Sequence, residues 1–183
     1  MRAVFLDRDG VLNAAVVRDG KPYPPTTARD VVILDDARIG CALLRSAGFR
    51  LVCVTNQPDI ARGCTTAEAV SIINGRIASE LQLDQVRVCP HDDVDACGCR
   101  KPRPGMLVDA AAESGLDLAA SYMVGDRWRD IEAGRAAGCL TIFIDRGYDE
   151  RKPDHADYLT YSTLDACRWI VAHADAKAGA LLQ

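Results

Sequence analysis

Ala3-Val4-Phe5-Leu6-Asp7-Arg8-Asp9-Gly10 opens with four apolar residues, then two acids separated by one residue, then a glycine. Four apolar residues suit a buried strand and are too few for a helix. Further along, Arg50–Thr55, Val86–Val88, Tyr122–Val124 and Leu140–Ile144 repeat that short, β-branched character. Between them, Asp36–Ala47, Thr66–Leu81, Gly105–Ser114 and Arg129–Ala137 are longer and alanine-rich, with apolar residues at helical period, and a last helix is expected over Leu164–Ala174. Gly48, Gly115 and Gly138 stand just past three of these helices, where a left-handed residue ends a helix cheaply. Strands separated by helices predict an α/β, three-layer, Rossmann-like parallel sheet with helices on both faces. In such sheets ligands bind beyond the carboxyl ends of the strands. Asp7, Thr55, Cys89 and Asp126 each follow or close a strand, so they belong to one edge.

A chain of 183 residues fits one domain spanning 1–183. With 49% hydrophobic and 26% charged residues, its composition is that of a globular protein rather than a disordered one. A net charge of −4 offers no long-range attraction to nucleic acid or anionic membrane, so neither is expected as a partner. An anionic ligand must instead be captured by local positive groups and a metal. No apolar run is long enough to span a bilayer, and Met1-Arg2-Ala3-Val4 does not read as a signal peptide, so the cytoplasm is the expected compartment. Of eight cysteines, Cys41, Cys53, Cys64, Cys139 and Cys167 are scattered and read as small buried hydrophobes. His155 and His173 read as surface residues, and Trp128 and Trp169 as packing groups.

With a side-chain period of two, Asp7 and Asp9 can face the same cleft. One carboxylate can attack phosphorus while the other protonates the leaving oxygen and later deprotonates water. Gly10 lets the chain turn away sharply beneath a ligand. Taken alone, an Asp-x-Asp is as well explained by a strand-end turn with solvated acids. Asp126, in Val124-Gly125-Asp126, adds a third carboxylate at the same edge. Three close carboxylates raise one another's pKa unless a cation intervenes, and magnesium is the hard, oxygen-preferring ion that suits them. Asp130 by itself reads as a helix N-terminal acid meeting the dipole. Thr55-Asn56-Gln57 offers a hydroxyl and amides for phosphate oxygens, though it is also a common loop composition. In Arg100-Lys101-Pro102, Lys101 can neutralise phosphate as a point charge and Arg100 can grip oxygens in a fork.

The order Asp-x-Asp-Gly, Thr-Asn, Lys-Pro, Gly-Asp-x-x-x-Asp resembles the haloacid dehalogenase superfamily of phosphatases, from about Ala3 to Ile144. Asp7-Arg8-Asp9-Gly10-Val11-Leu12-Asn13, Ile60-Ala61-Arg62-Gly63 and Arg100-Lys101-Pro102-Arg103-Pro104-Gly105-Met106 are similar to the heptose-1,7-bisphosphate phosphatases, with histidinol-phosphate phosphatases as close relatives. The resemblance implies a magnesium-dependent phosphatase with a minimal cap. It makes Asp7 the nucleophile, forming an aspartyl-phosphate, and Asp9 the general acid and base, with Thr55 and Lys101 stabilising the phosphoryl group. Asp7, the Asp9 carbonyl and Asp126 would hold magnesium. Arg100 would recognise substrate, and Asn56 and Gln57 would line its approach. Where the family often has Lys, Arg127 stands, which leaves a direct role for it open.

Cys89-Pro90-His91 and Cys97-Gly98-Cys99 put three thiols and an imidazole within eleven residues. That is a closed tetrahedral zinc set, hence structural, or else a redox pair at Cys97 and Cys99. The resemblance carries the same four ligands, in a zinc loop over 89–99. Arg100-Lys101 follows the last ligand directly, so fixing Cys99 fixes the segment that presents Lys101. The expected partner is a small phosphorylated metabolite meeting a monomer. The resemblance points to the 7-phosphate of D-glycero-D-manno-heptose 1,7-bisphosphate, with Arg62 or Arg103 as candidates for the second phosphate. The short zinc loop favours histidinol phosphate instead, whose amino group Asp92, Asp93 and Asp95 could meet if they are not simply solvated. A reading from another class is a non-catalytic, zinc-stabilised module that binds phosphorylated ligands. Charged Arg146–Asp157 is a candidate to cover the cleft.

Overall fold

The computed structural model describes residues 1–180, with side chains through 177. Six strands form one sheet: β1 (Ala3–Leu6), β4 (Arg50–Asn56), β5 (Gln85–Cys89), β6 (Tyr122–Gly125), β7 (Leu140–Ile144) and β8 (Tyr158–Thr160). They are all parallel and ordered β5-β4-β1-β6-β7-β8. The first strand is central, so both its faces are covered, and its pleat sends alternate residues to two cores. Val4 and Leu6 join a cluster with Leu51, Cys53, Val124 and Ile142, beneath α1 (Asp35–Ser46), α2 (Ala67–Leu81) and α5 (Thr163–Ala180). Ala3 and Phe5 join Val52, Val54, Met123, Leu107 and Ala133, beneath α3 (Gly105–Ser114) and α4 (Trp128–Ala137). The three layers expected of the sequence are present.

Helix ends follow local chemistry. Thr66 accepts a hydrogen bond from the amide of Ala69 and caps α2. Gly115 and Gly138 end α3 and α4 in the left-handed conformation. The last helix begins one residue before the expected start and continues six residues past the expected end.

Two elements were not expected. A small antiparallel hairpin, β2 (Val16–Arg18) and β3 (Lys21–Tyr23), stands apart from the main sheet with its second strand at the cleft mouth. Its turn residues Asp19 and Gly20 both have positive φ, 49° and 72°, as a tight hairpin turn needs. The Asp-Gly pair between Val16-Val17-Arg18 and Lys21-Pro22-Tyr23 was the available signal. Strand β8 is the other addition, brought to the sheet edge by Asp157, whose carboxylate accepts from the amide and hydroxyl of Thr141 at 2.7 and 2.8 Å. The charged 146–157 segment borders the cleft rather than roofing it. The amide of Asp149 bonds Gly20 O on the hairpin, and Glu150 alone from this stretch reaches the cleft wall.

Two sequence expectations are corrected, those for Cys64 and His173. Cys64 is exposed, in the turn before α2, where no core is available to it. His173 is half-buried, stacked on Trp169 at 4.9 Å with its Nδ1 2.9 Å from the Tyr122 hydroxyl. Trp169 itself packs between His173 and Tyr158. No described helix is long and apolar enough to cross a membrane.

Candidate active site

Strand β1 delivers Asp7 at its carboxyl end and the neighbouring β6 delivers Asp126, with the Asp7 amide donating to Val124 O at 3.0 Å. The capped start of α4 brings Asp130 to the same place, so that one carboxylate oxygen from each of Asp7, Asp126 and Asp130 lies within 4.8 Å of the others. All three residues are buried. Two glycines make this convergence possible. A Cβ at Gly10, where φ is +91°, would lie 1.8 Å from Asp126 Oδ2, and one at Gly125 would lie 2.1 Å from Asp130 Cβ.

Burial raises the pKa of Asp126 well above the usual carboxylate range, and the charges of Asp7 and Asp130 add to it. Asp7 is raised for the same leading reason, with Lys101 opposing. Both carboxylate oxygens of Asp126 are buried and make no well-formed hydrogen bond, with the Tyr148 hydroxyl as the nearby donor. An orphaned, acceptor-only group among like charges is what a hard divalent ion relieves, so these residues fit magnesium. Asp130 therefore does more than the helix-end role expected of it. Its Oδ2 accepts from the Arg127 amide at 3.0 Å, while its Oδ1 lies 2.7 Å from Lys101 Nζ.

Lys101 is buried with all three ammonium donors satisfied at 2.7 Å, by Asp7 Oδ1, Asp130 Oδ1 and Val54 O. The two carboxylates hold its pKa above the usual lysine value against the effect of burial. Asn56 fixes the lysine's backbone: its Nδ2 donates to Lys101 O at 3.0 Å and its Oδ1 accepts from the Lys101 amide at 3.1 Å. Thr55 faces the cleft, and its hydroxyl accepts from Gln57 Nε2 at 2.8 Å, which leaves its own proton free to donate outward. The expectation that Gln57 lines the substrate's approach is corrected. It is 2% exposed and its Nε2 also reaches Asp9 Oδ2 at 3.2 Å, so it braces the site from behind.

Cys89, His91, Cys97 and Cys99 converge as a second group. Sulfur–sulfur distances are 3.2, 3.4 and 3.6 Å, and His91 Nδ1 lies 3.3 and 3.7 Å from the Cys99 and Cys89 sulfurs. Metal–sulfur bonds of about 2.3 Å in a tetrahedron give edges of roughly 3.8 Å, so the four atoms fit zinc with slight contraction. Burial pushes the Cys89 thiol up and its sulfur neighbours push it further, whereas for Cys97 burial is outweighed by hydrogen bonds from backbone and neighbouring thiols, which bring the thiol to about 7.

The cleft, about 270 Å³, runs from Asp7 to a basic outer wall. Asp92 pairs with Arg62 at 2.6 Å, and Asp93 pairs with Arg100 at 2.8 Å and Arg129 at 3.1 Å. Arginine contacts hold both acids below the usual carboxylate range, led by Arg62 for Asp92 and Arg100 for Asp93. Asp92 and Asp93 are thus engaged by arginines, although the Asp93 side chain stays 57% exposed, and Asp95 is engaged by the Asp92 amide. Arg127, also on the wall, pairs with Glu150. Arg103 turns elsewhere, toward Cys97 O beside the cysteine–histidine set, and is not part of the cleft. Arg129 and Glu150 carry no motif in sequence; only the fold brings them here.

Comparison with known proteins agrees with this architecture. A HAD-hydrolase-like family model matches residues 98–166. The D-glycero-β-D-manno-heptose-1,7-bisphosphate 7-phosphatase of Yersinia pestis is 40% identical over 156 residues, covering 79% of this chain and 80% of its own. The Escherichia coli K12 protein of that name is 36% identical over 156 residues, covering 79% and 78%. The Bordetella bronchiseptica D,D-heptose 1,7-bisphosphate phosphatase, solved with magnesium and phosphate, superposes with a TM-score of 0.81 at 28% identity over 94% of this chain and 99% of its own. With three buried carboxylates at the ends of adjacent strands and relatives of this likeness, the chain belongs to the haloacid dehalogenase-like hydrolases, in the family of the heptose-1,7-bisphosphate 7-phosphatases.

Proposed function

We propose that this protein removes the 7-phosphate of D-glycero-D-manno-heptose 1,7-bisphosphate through an aspartyl-phosphate on Asp7. The convergence of Asp7, Asp126 and Asp130 beside the Lys101 ammonium carries the reading. Asp7, the Asp9 carbonyl and Asp126 would hold magnesium, with Asp130 near enough to join or orient them. Magnesium, when bound, supplies charge neutralisation for the phosphoryl oxygens and the attacking carboxylate. The free Asp7 oxygen attacks phosphorus, and the bond to the sugar oxygen breaks with its electron pair. Asp9 gives that oxygen its proton. The resulting Asp9 carboxylate then takes a proton from water, whose oxygen attacks phosphorus and returns Asp7 as a carboxylate. Thr55 and Lys101 stabilise the phosphoryl oxygens throughout. One copy of the chain carries every group used, which supports a monomer. All eight cysteines are unpaired, as a reducing compartment such as the cytoplasm keeps them.

Two observations favour the sugar bisphosphate. The relatives bear that name, and the cleft wall carries Lys21, Arg62, Arg100, Arg127 and Arg129 for a second phosphate. Histidinol phosphate, with a single phosphate, would leave those cations without an anionic partner on the substrate. At limiting substrate, kcat/KM for heptose bisphosphate is expected to exceed that for histidinol phosphate by at least about 100-fold, some 2.7 kcal/mol of transition-state binding. The reverse ratio would reassign the substrate, and no magnesium-dependent phosphate release from either would favour the binding module. We also propose that Cys89, His91, Cys97 and Cys99 hold a structural zinc ion that steadies residues 89–101.

Magnesium should also stabilise the fold. Without it, Asp126 and Asp7 have folded-state pKa values above their unfolded ones, so their stabilising contribution is complete below the unfolded value near 3.8 and is lost as pH rises through the raised values. At neutral pH the metal-free protein bears that cost. Magnesium at 100 times its Kd adds about 2.7 kcal/mol, or roughly 5–10 °C in Tm. Asp126→Asn is expected to melt higher than the unsubstituted protein when both are metal-free, and to lose most of the magnesium increment. An unchanged increment in that variant would remove Asp126 from the metal set.

A further inference from the structure

Between the two catalytic aspartates of the sequence lies Arg8, a charged side chain that is 0% exposed. A guanidinium stays protonated in proteins, so its burial demands acceptors. Arg8 Nε lies 3.1 and 3.2 Å from the two oxygens of Asp9, and Nη2 donates to Asp9 Oδ2 at 2.8 Å. Its Nη1 donates to Asn74 Oδ1 at 2.8 Å, and Asn74 is itself buried in the middle of α2. Two more donors close on Asp9: Asn13 Nδ2 at 2.9 Å to Oδ1 and Gln57 Nε2 at 3.2 Å to Oδ2.

Neighbouring residues of an extended strand send their side chains to opposite sides. Here the chain leaves β1 in a tight turn, with the amides of Leu12 and Asn13 both donating to Arg8 O, and the two side chains come together. The planar fork meets the carboxylate edge on, which fixes both the direction of Asp9 and the plane of its oxygens. Asn74 then fixes the fork. Arg8 is not part of the cleft wall, whereas Asp9 is, so any effect of the arginine on the reaction passes through the carboxylate.

We propose that Arg8 is a positioning residue for Asp9, and that Asn74 extends this brace into α2. The proposal rests on the reading of Asp9 as the general acid and base. A proton donor works only within hydrogen-bond reach of the leaving oxygen, and small misplacements are costly. Arg8 thus fixes the Asp9 rotamer at the edge of the cleft, and α2, whose other buried side chains serve the core, takes part in proton delivery.

The test compares two substrates in single turnovers of the magnesium-loaded enzyme, reading leaving-group departure on phosphoryl transfer to Asp7, ahead of the water step in which Asp9 serves both substrates alike. Heptose bisphosphate has an alkoxide leaving group that needs a proton, whereas p-nitrophenyl phosphate has one that departs without it. Arg8→Lys keeps the charge and loses the fork, and is expected to lower the single-turnover rate for heptose bisphosphate by about 10–100-fold, the usual scale for such supporting contacts. With KM changed less than about threefold and the p-nitrophenyl phosphate rate likewise, the loss is one of transition-state proton transfer rather than binding. Asn74→Leu, well away from the reacting atoms, is expected to show the same split with a smaller drop, and serves alone should Arg8→Lys fail to fold. In an Asp9→Asn background, Arg8→Lys should add less than about twofold, since residues that act as a unit are not additive. Equal losses on both substrates, or full additivity with Asp9→Asn, would overturn the proposal alone. Undiminished heptose bisphosphate turnover in Asp9→Asn would overturn the acid–base reading and the proposal with it.

Discussion

Asp7→Asn is expected to lower turnover of heptose bisphosphate by about 10⁴-fold or more, the scale on which loss of a nucleophile acts. An amide has neither the charge nor the basicity to form the acyl phosphate, and no other buried side chain stands ready to replace it. Asp126 and Asp130 share the pocket, but Asp130 is held by Lys101 and the Arg127 amide. The fold should survive. Lys101 keeps Asp130 and Val54 O as acceptors, and removing one of three buried acids lessens their mutual repulsion. Phosphate release and thermal melting, measured on the same preparation, check both halves. A variant retaining more than a few per cent of the rate, well short of the 10⁴-fold loss, would dismiss the covalent route.

The second large effect is expected from the cysteine–histidine set. Lys101 is fixed from two sides: Asn56 clasps its backbone, and the Cys99 thiol is two residues upstream. Cys99→Ser leaves only the first of these. Bound zinc should fall to a small fraction, and kcat by about 10–100-fold as Lys101 and Arg100 lose their common anchor. Stability should fall too, because Cys89 lies in the core against α3 and brings the loop with it. A loss of about 3 kcal/mol corresponds to a Tm lower by roughly 6–12 °C in a chain of this size. Metal analysis, melting and turnover provide three separate readouts. Zinc-free protein with an undiminished rate would show the loop to be independent of catalysis.

The parts of this protein that were legible in sequence share a cause. Residues 3–7 and 122–126 combine a buried apolar run with a carboxylate at the point of emergence, and the parallel sheet does the rest. The cysteine–histidine set was legible because all its ligands lie within one short segment. What escaped depends on distant elements meeting. Asp130 reads as an ordinary first-turn acid until α4 docks beside Lys101, which comes from another loop. Gln57 reads as a polar loop residue until β4 and β1 place it behind Asp9. Arg129 and Glu150 have no local pattern at all, and their places follow from Asp93 and Arg127 across loop contacts. The hairpin differs from these. Its Asp19-Gly20 turn was visible, but strands of three residues are weak signals beside stronger neighbours.

The bare α-carbons at positions 10 and 125 also bear on how this protein can change over generations. Alanine, the smallest possible side chain, would there collide with Asp126 or Asp130, so the floor of the pocket has no neutral variants to explore. The exposed strand residues Val16, Val17, Arg18, Lys21 and Tyr23 of the hairpin have more room. New specificities are therefore open to selection at the mouth of the cleft, while the chemistry beneath is inherited whole.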